Sequence, residues 1–528
     1  MRDFQVSGRS PVRSMQGMAA TSHPLSTLAA IEILRSGGNA VDAAICASAV
    51  QAVVEPQSTG IGGDCFVLYC PSGTDEPIAL NGSGRAPARA TIEWYRSQGM
   101  TAMPTYGPHS VTVPGAIDAW CRLQQDYGKL TLAEVLAPAV HYAEAGYVVH
   151  DRVAFDWAAS ASLLAADPHS SEIFLPGGQA PQAGDVHRQP ALARTLQKIA
   201  TDGRDGFYAG LVAEAIVRRL NELGGLHTIE DFSATACDYV PPISTEYRGF
   251  RIHQVPPNNQ GLTALLMLNI LSGQHLTELD PHGADRFHLE VEAGRLAYHE
   301  RNIRLGDAES SWQAVTEMLS SQHADCLSRE INLGRAMTNL PDPELTTSDT
   351  VYIAVVDKDR NAISFINSIY HSFGSGITCP ETGVVLQNRG ASFRLNPQHP
   401  NALAPRKRPV HTIMPGMVTR AGRAVMPYGV MGGDYQPFGH AHFLSNVIDY
   451  GMDLQEAIDS PRVFYENGCV VVEHGVSENA IRQLRDKGHK VALATKPLGG
   501  GQAIWIDWER GTLTGASDPR KDGIAAGY

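Results

Sequence analysis

The chain has 528 residues, of which 43% are hydrophobic and 18% are charged, so it has the composition of a globular protein with a large core. Its formal net charge of -13 disfavours nucleic acid as a partner, because nucleic-acid-binding surfaces need clustered Lys and Arg. No apolar run reaches the length of a membrane-spanning helix or forms a signal-peptide core, and the cysteines lack Cys-x-x-Cys pairs. We therefore expect a cytoplasmic protein with no disulfide, metal or other cofactor.

The first part of the chain predicts mainly helices. Apolar spacing indicates helices over residues 24–36 and 42–54, the first ended by Gly37, Gly38 and Asn39. A Gly-rich turn over 55–64 then leads into a strand at 65–69. This turn lacks Gly-Lys-Ser/Thr and enters a strand where a phosphate loop would enter a helix, so nucleotide binding is not predicted. Further predicted elements are helices at 131–145, 191–199 and 211–223, a strand pair within 245–255, and a helix ending at 271.

A long amphipathic helix over residues 285–305 carries His288, Glu292, His299 and Glu300. These residue types invite a metal-site interpretation, but His-Glu-x-x-His is absent and the spacing does not gather three ligands on one face. We interpret the helix as a charged face stabilised by i,i+4 pairs.

Strands dominate after residue 350. They are predicted at 351–356, 363–369, 384–386, 424–429 and 470–472, with helices at 440–450 and 477–487. No linker interrupts the chain, so we expect one compact body or two tightly packed lobes. Helices followed by a strand-rich layer favour an α/β body of stacked sheets flanked by helices.

A hydroxyl-rich run, Glu344 to Thr350, stops where the 351–356 strand begins. Our hypothesis is that the chain is cut between Asp349 and Thr350. A hydroxyl needs an adjacent base to act as a nucleophile, and the new α-amino group of Thr350, with a pKa near 8, would be such a base. Backbone N–H groups of a Gly-Gly turn would stabilise the developing oxyanion.

Short motifs along nearly the whole chain resemble the γ-glutamyltransferase family of N-terminal-nucleophile hydrolases. They include Gly-Gly-Asn-Ala-Val-Asp (37–42), Val-Pro-Gly (113–115), Val-Val-Asp-Lys-Asp (355–359), Phe-Gly-Ser-Gly (373–376) and Gly-Ala-Ser-Asp-Pro-Arg (515–520). The resemblance implies an α/β fold, the αββα four-layer sandwich of this class. It also implies autocleavage into a large chain of residues 1–349 and a small chain of residues 350–528, which stay together.

The family pattern assigns roles to individual residues. Counting back from Val355 selects Thr350 as the nucleophile, in preference to the Thr346-Thr347 doublet. The resemblance implies that Ser368 supports this nucleophile and that Gly432 and Gly433 form the oxyanion hole.

The residues that hold a γ-glutamyl group differ in this chain. The family's carboxylate-binding Arg falls on Ser83, its amine-binding Asn on Tyr370, and its paired serines on His411 and Thr412. The amine-side Gln and Asp fall on Arg389 and Ser392, which replaces attraction for an ammonium with repulsion. Arg85 and Arg389 are the candidates to bind a carboxylate, because a guanidinium can form a bidentate pair of hydrogen bonds with it.

The expected substrate is therefore a small acid amide without an α-amine. The subgroup that this chain resembles comprises the oxamate amidohydrolases of bacterial purine breakdown, which turn oxamate into oxalate and ammonia. The candidate substrate-binding residues are Arg85, Tyr370, Arg389, His411 and Thr412. Two alternatives stay open: a γ-glutamyl hydrolase or transferase or other acylase, and an uncut protein that only binds a small acid. A homo-oligomer of the processed unit is compatible with the sequence.

Overall fold

The computed structural model of the protein describes residues 5, 8–338, 340–342, 345 and 350–528, with the side chain of Ser310 excepted. The Thr346-Thr347 doublet and Asp349, on the N-terminal side of the predicted cut, lie outside the described residues.

The strands lie in two stretches of the chain, before residue 255 and after residue 350. In chain order they are β1 (Val12–Ser14), β2 (Met18–Ala20), β3 (Asp64–Cys70), β4 (Ile78–Gly82), β5 (Tyr147–Val148), β6 (Val186–His187), β7 (Asp238–Val240), β8 (Ile243–Tyr247), β9 (Phe250–Gln254), β10 (Val351–Val356), β11 (Ala362–Ser368), β12 (Thr378–Cys379), β13 (Val384–Val385), β14 (Gly416–Arg420), β15 (Arg423–Met431), β16 (Val463–Glu466), β17 (Cys469–Val472), β18 (Val491–Leu493), β19 (Gly500–Asp507), β20 (Thr512–Ser517) and β21 (Ala525–Gly527).

Most of the described helices lie before residue 255, among the strands of the first stretch. They are α1 (Pro24–Arg35), α2 (Ala40–Val54), α3 (Ile92–Ser97), α4 (Ala116–Tyr127), α5 (Leu132–Ala145), α6 (Asp151–Ala158), α7 (Ala161–Ala165), α8 (Pro168–Phe174), α9 (Pro190–Asp202), α10 (Asp205–Tyr208), α11 (Gly210–Glu222), α12 (Ile229–Ser233), α13 (Gly261–Ser272), α14 (Ala284–Arg304), α15 (Ala308–Met318), α16 (Ser321–Glu330), α17 (Gln436–Ile448), α18 (Leu454–Asp459) and α19 (Glu478–Asp486).

Two large sheets stack face to face. One has the order β21-β2-β10-β11-β3-β4-β7 and the other β1-β20-β19-β15-β14-β9-β8. Neighbouring strands in both are antiparallel. Strand β10, which follows Thr350, lies between β2 and β11 in the first sheet. Both sheets therefore contain strands from each side of the predicted cut.

The side chains of β10 show why the sheets are covered on both faces. Tyr352, Ala354 and Val356 belong to the core between the sheets, whereas Ile353 and Val355 belong to the outer core under α1, α2, α4 and α5. Alternate residues of a strand point to opposite faces, so an all-apolar strand needs both faces buried. Helices α13, α14, α17 and α18 cover the other sheet. The result is the predicted αββα arrangement.

The described helices differ from the predicted ones mainly at their ends and in burial. Asn39 was predicted to end the first helix, but its side chain caps α2 by accepting the N–H groups of Val41 and Asp42. Helix α14 was predicted to be amphipathic, yet it is buried on nearly all sides. Its charged residues lie in ion pairs inside the protein, such as Arg286 with Glu290 at 2.7 Å. Strands β19 and β20 were not predicted.

None of the helices within the described ranges is both long and apolar enough to cross a membrane.

Candidate active site

Two hydroxyl groups meet where β10 begins and β11 ends. Val351 pairs with Asn367 across the two strands, so the residues next to them, Thr350 and Ser368, are neighbours. Their Oγ atoms are 3.3 Å apart and both residues are fully buried. The Ser368 hydroxyl also accepts the N–H of Tyr370 at 2.9 Å. The sheet register therefore holds the Thr350 hydroxyl beside a fixed hydroxyl partner.

The glycine pair Gly432 and Gly433 follows β15 on the facing sheet. The ring of Tyr352 lies directly against Gly429, so β10 and β15 bring Thr350 and Gly432 to the same end of the sandwich. Gly432 has a φ of 122°, and a Cβ there would lie 2.9 Å from the Cα of Gly499. Only glycine meets both conditions without strain.

A cavity of about 320 Å³ opens at this end of the molecule. Tyr370, Ser392, Thr412 and Asp434 line it, together with Leu345 from the segment ahead of Thr350. Two candidate substrate-binding residues, Tyr370 and Thr412, therefore share one cavity with Ser392, which takes the position of the family's amine-side Asp.

Arg389 lies directly behind two of the lining residues. Its Cζ is 3.8 Å from the centroid of the Tyr370 ring, and its Nη1 donates to Thr412 Oγ1 at 2.8 Å. The residue is fully buried, and its Nε and Nη2 have no hydrogen-bond partner among the described residues. Burial lowers the pKa of Arg389 to about 10, so the guanidinium is charged at neutral pH. A buried cation with two unused donors is costly unless an acceptor binds there.

His411 lies inside the wall of the cavity. Its Nε2–H donates to Asp64 Oδ2 at 3.0 Å, and its Nδ1 accepts the N–H of Ile413 at 3.4 Å. Burial lowers the pKa of His411 to about 3, and the nearby Arg389 charge acts in the same direction. The neutral ring is engaged by protein on both nitrogens and supports the segment that carries Thr412.

Arg85 lines a different cavity, together with Asp238 and Arg406. Its Nη2 is 3.5 Å from Asp238 Oδ2 and its Nη1 donates to the carbonyl of Arg406 at 3.1 Å. The structure therefore separates Arg85 from Tyr370, Arg389 and Thr412.

Asp64 is a buried acid that the sequence reasoning passed over. It pairs with Ser368 across β3 and β11, and its Oδ1 accepts hydrogen bonds from the Gly84 N–H, the Gly115 N–H and Gln387 Nε2 at 2.8–3.0 Å. Its other oxygen accepts from His411. The sequence feature that could have identified Asp64 is its position directly after Gly62-Gly63 and before an apolar strand.

A second missed feature is the ion pair of Arg301 and Asp434 in the cavity wall, at 2.5 Å. Arg301 also donates to Gln260 Oε1 at 2.7 Å, and Gln260 Nε2 donates to the carbonyls of Thr412 and Gly433. This network ties the glycine turn to Thr412. The sequence feature that could have indicated this ion pair is the Asp that follows Gly432-Gly433.

The site as a whole combines a buried threonine hydroxyl, a glycine turn on the facing sheet and a buried guanidinium. Such a set suits nucleophilic attack on an amide carbonyl whose acyl part carries an acid.

Comparison with known proteins covers almost the full chain. A family model described as gamma-glutamyltranspeptidase matches residues 26–528. The glutathione hydrolase-like YwrD proenzyme of Bacillus subtilis is 39% identical, over 97% of this chain and 98% of that protein. The oxamate amidohydrolase proenzyme of Klebsiella pneumoniae subsp. pneumoniae is 37% identical, over 98% and 99%. The crystal structure of cephalosporin acylase from Bacillus halodurans has a TM-score of 0.94 at 40% identity and covers 100% of this chain and 99% of that one.

Proposed function

The chain belongs to the gamma-glutamyltranspeptidase family and is a self-processing hydrolase of amide bonds; from this premise we propose that it cuts itself before Thr350 and hydrolyses a small carboxylate amide. The first candidate substrate is oxamate, whose hydrolysis yields oxalate and ammonia. The observation that carries the proposal is Arg389, buried behind Tyr370 and Thr412 with two unused donors.

The proposed processing step uses the same hydroxyl as catalysis. Thr350 Oγ attacks the carbonyl carbon of Asp349, and the peptide bond to the Thr350 nitrogen breaks, which leaves an ester. Water then opens the ester, releasing the Asp349 carboxylate and the Thr350 hydroxyl and α-amine. Ser368 Oγ, 3.3 Å from Thr350 Oγ, keeps that oxygen in place during both steps.

In turnover, the α-amine of Thr350 takes the proton from Oγ while Oγ attacks the amide carbonyl. Backbone N–H groups of Gly432 and Gly433 stabilise the oxyanion of the tetrahedral intermediate. The intermediate collapses to an acyl-enzyme and the leaving nitrogen departs as ammonia after receiving that proton. Water, activated by the same amine, hydrolyses the ester and regenerates the hydroxyl.

Arg389 supports a carboxylate on the acyl side. A guanidinium offers two parallel donors that match a carboxylate, and both Nε and Nη2 are unused. Their pairing with substrate would remove the cost of leaving two buried donors without acceptors, which is about 1–3 kcal/mol per group. Tyr370 lies between the guanidinium and the cavity and would rotate or shift to admit the carboxylate.

The same residue opposes an α-ammonium group. Arg389 is a fixed positive charge, and the nearby Ser392 is neutral and donates its hydroxyl to the Val410 carbonyl at 2.9 Å. The cavity-wall acid Asp434 is already paired with Arg301. A γ-glutamyl donor would therefore bring its ammonium to a wall without an unbalanced acid.

A matched pair of substrates tests this point. Glutaryl anilide and γ-glutamyl anilide differ only in the α-amino group. We expect the processed protein to release ammonia from oxamate and to hydrolyse glutaryl anilide faster than γ-glutamyl anilide. Turnover of γ-glutamyl anilide as fast as that of oxamate would overturn the carboxylate-only preference and favour a γ-glutamyl hydrolase.

A second candidate is an acylase for a larger acid. The cavity of about 320 Å³ is larger than oxamate requires and is at the lower end of the range for drug-sized ligands. One relative of known structure is a cephalosporin acylase. Hydrolysis of glutaryl anilide without ammonia release from oxamate would select this alternative, and Arg389 would keep its role.

Membership of a family of amide hydrolases disfavours the remaining alternative, an uncut protein that only binds a small acid, and a denaturing gel tests this point. Cleavage before Thr350 gives bands of about 38 and about 20 kDa, from about 110 Da per residue. A single full-length band after prolonged incubation, with oxamate bound and no ammonia released, would favour the binding protein.

A further inference from the structure

A buried group of metal-ligating side chains lies away from the candidate active site. His288 and Glu292 are one turn apart on α14, and His489 follows α19. One nitrogen or oxygen from each of the three lies within 4.8 Å of the others, and all three residues are buried. We propose that His288, Glu292 and His489 bind one divalent cation of the zinc type, with a water molecule as fourth ligand. The helix alone supplies only two ligands, so this site depends on the tertiary fold.

Hydrogen bonding fixes which nitrogen of His288 faces the group. Its Nε2 is 2.9 Å from the carbonyl oxygen of Asn332, which can only accept, so Nε2 carries the proton. The Nδ1 atom is then unprotonated and lies 2.8 Å from His489 Nε2. A metal-ligating histidine commonly donates its second N–H to a backbone carbonyl in this way.

Metal binding requires His489 to carry its proton on Nδ1, because its Nε2–H donates to His288 Nδ1 when no ion is bound, and it requires the three ligand atoms, which lie within 4.8 Å of one another, to shift. Ligands at 2.0–2.2 Å in tetrahedral geometry are about 3.3–3.5 Å apart, so the two rings would separate by about half an ångström. His489 is 6% exposed, whereas His288 and Glu292 are fully enclosed, so an ion would enter past His489.

Glu292 is held in position by two donors. Its Oε1 accepts from Arg295 Nη1 at 2.9 Å and its Oε2 accepts the N–H of Met337 at 2.7 Å. Each carboxylate oxygen has a second lone pair, so these bonds leave capacity for a metal. The Arg295 charge opposes a cation, and Lys487 nearby is paired with Asp285 at 2.7 Å. Two of the three ligands are imidazole nitrogens, and Arg295 offsets the single carboxylate charge. This ligand set favours zinc over calcium or magnesium, which prefer several oxygen ligands.

The site would fasten the segment that leads toward the predicted cut. Asn332 and Met337 already bond to His288 and Glu292, and the Ala336 N–H donates to the Lys487 carbonyl at 2.7 Å. An ion held by α14 and His489 would therefore stabilise the packing of residues 332–337 on the body. Its expected effect is on stability, separate from the chemistry at Thr350.

Zinc binding to the full-length protein tests the proposal. The protein is dialysed against EDTA, then titrated with zinc chloride in a calorimeter, and its melting temperature is followed. We expect one zinc ion per chain and a higher melting temperature. His489→Gln should weaken binding at least about tenfold. His299→Gln is the matched control, because His299 lies on the same helix outside the cluster, and it should bind like the parent protein.

Anomalous diffraction at the zinc edge from parent crystals grown with zinc chloride locates the ion even if a variant fails to fold. A peak bonded to His288, Glu292 and His489 supports the site. The absence of a peak there, or equal zinc binding by the parent protein and a folded His489→Gln variant, would overturn it.

Discussion

At Thr350, two buried hydroxyls lie 3.3 Å apart at the start of a central strand. A turn does not require a buried hydroxyl pair at its end. The Ser368 hydroxyl is itself oriented, because it accepts the N–H of Tyr370. The pair gives the proposed nucleophile one fixed direction, which is what a single-residue nucleophile and base require.

Replacing the hydroxyl tests the nucleophile. We expect Thr350→Ala to remain a single chain with no amide hydrolysis, because both steps need Oγ. Thr350→Ser keeps the hydroxyl and should still be processed, more slowly because the missing methyl group leaves the side chain less restricted. Denaturing gels and ammonia release measure both. A cleaved or active Thr350→Ala protein would refute the assignment.

Arg389 tests the proposed substrate class. We expect Arg389→Gln to lower kcat/KM for oxamate about 10- to 100-fold, since a hydrogen bond to a charged group contributes about 1.5–3 kcal/mol. Processing should continue, because the peptide at the cut is not held by Arg389 in our proposal.

Arg85→Gln is the informative comparison for Arg389, since both arginines are sequence candidates and Arg85 lines a different cavity. We expect the smaller loss of kcat/KM in Arg85→Gln. Equal losses in both variants, or the larger one in Arg85→Gln, would contradict the role of Arg389.

At the scale of elements, the site depends on loops that converge on the end of β3. Asp64 joins the loops that carry Gly84, Gly115 and Gln387 to the His411 segment through four hydrogen bonds. These elements come from distant parts of the chain. A single carboxylate therefore fixes the wall on which Thr412 and Arg389 lie.

Removing that charge should loosen the wall. Asp64→Asn keeps the size of the side chain but offers one acceptor oxygen where the carboxylate offers two, so at least one buried donor loses its partner. We expect the free energy of unfolding to fall by about 1–3 kcal/mol, seen as a lower melting temperature, together with a higher KM.

Asp202→Asn, which removes a surface ion pair with Lys198, is the control for this change and should alter stability by less than about 1 kcal/mol. Unchanged stability and KM in Asp64→Asn would show that the carboxylate does not organise these loops.

At the scale of the whole molecule, several histidines are buried and neutral. Burial lowers the pKa of His411 and His440 to about 3, and that of His187 and His253 to about 4. An unfolded histidine has a pKa near 6.5. Between these values the unfolded chain binds protons that the folded chain does not, so stability decreases as the pH falls from 6.5 toward 3.

We therefore expect the melting temperature to drop steeply between pH 6.5 and pH 4, with each such histidine contributing up to about 1.4 kcal/mol per pH unit. His440→Gln should lower stability at pH 7, since the Val430 N–H loses its acceptor, and should make the pH dependence shallower. His275→Gln, an exposed position, should leave the slope unchanged. A melting temperature that is constant over this range would contradict the prediction.

The sequence predicted the layers of the fold because their cause is local. Strand β10 has the predicted bounds since six apolar residues end at an Asp-Lys-Asp turn, and Ser477 caps α19 as its residue type indicates. Helix α14 shows the limit. The charged residues of this helix predict a solvent-exposed face. In the structure, Arg286 and Glu290 are buried and are stabilised by Ser445 and His442 on α17, a helix far along the chain.

By itself, then, the sequence determined the family, the αββα sandwich and the amide-hydrolysing class, because short motifs and strand patterns consist of residues that are adjacent in the chain. Only the tertiary structure decided which predicted site residues share a cavity. It placed Arg389 behind Tyr370 and Thr412, Arg85 in another cavity, and His411 in the wall against Asp64. The physical reason is that a side chain's type does not specify which partner will take up its charge, whether that partner lies 23 positions away, as Thr412 does from Arg389, or 347 positions away, as Asp64 does from His411.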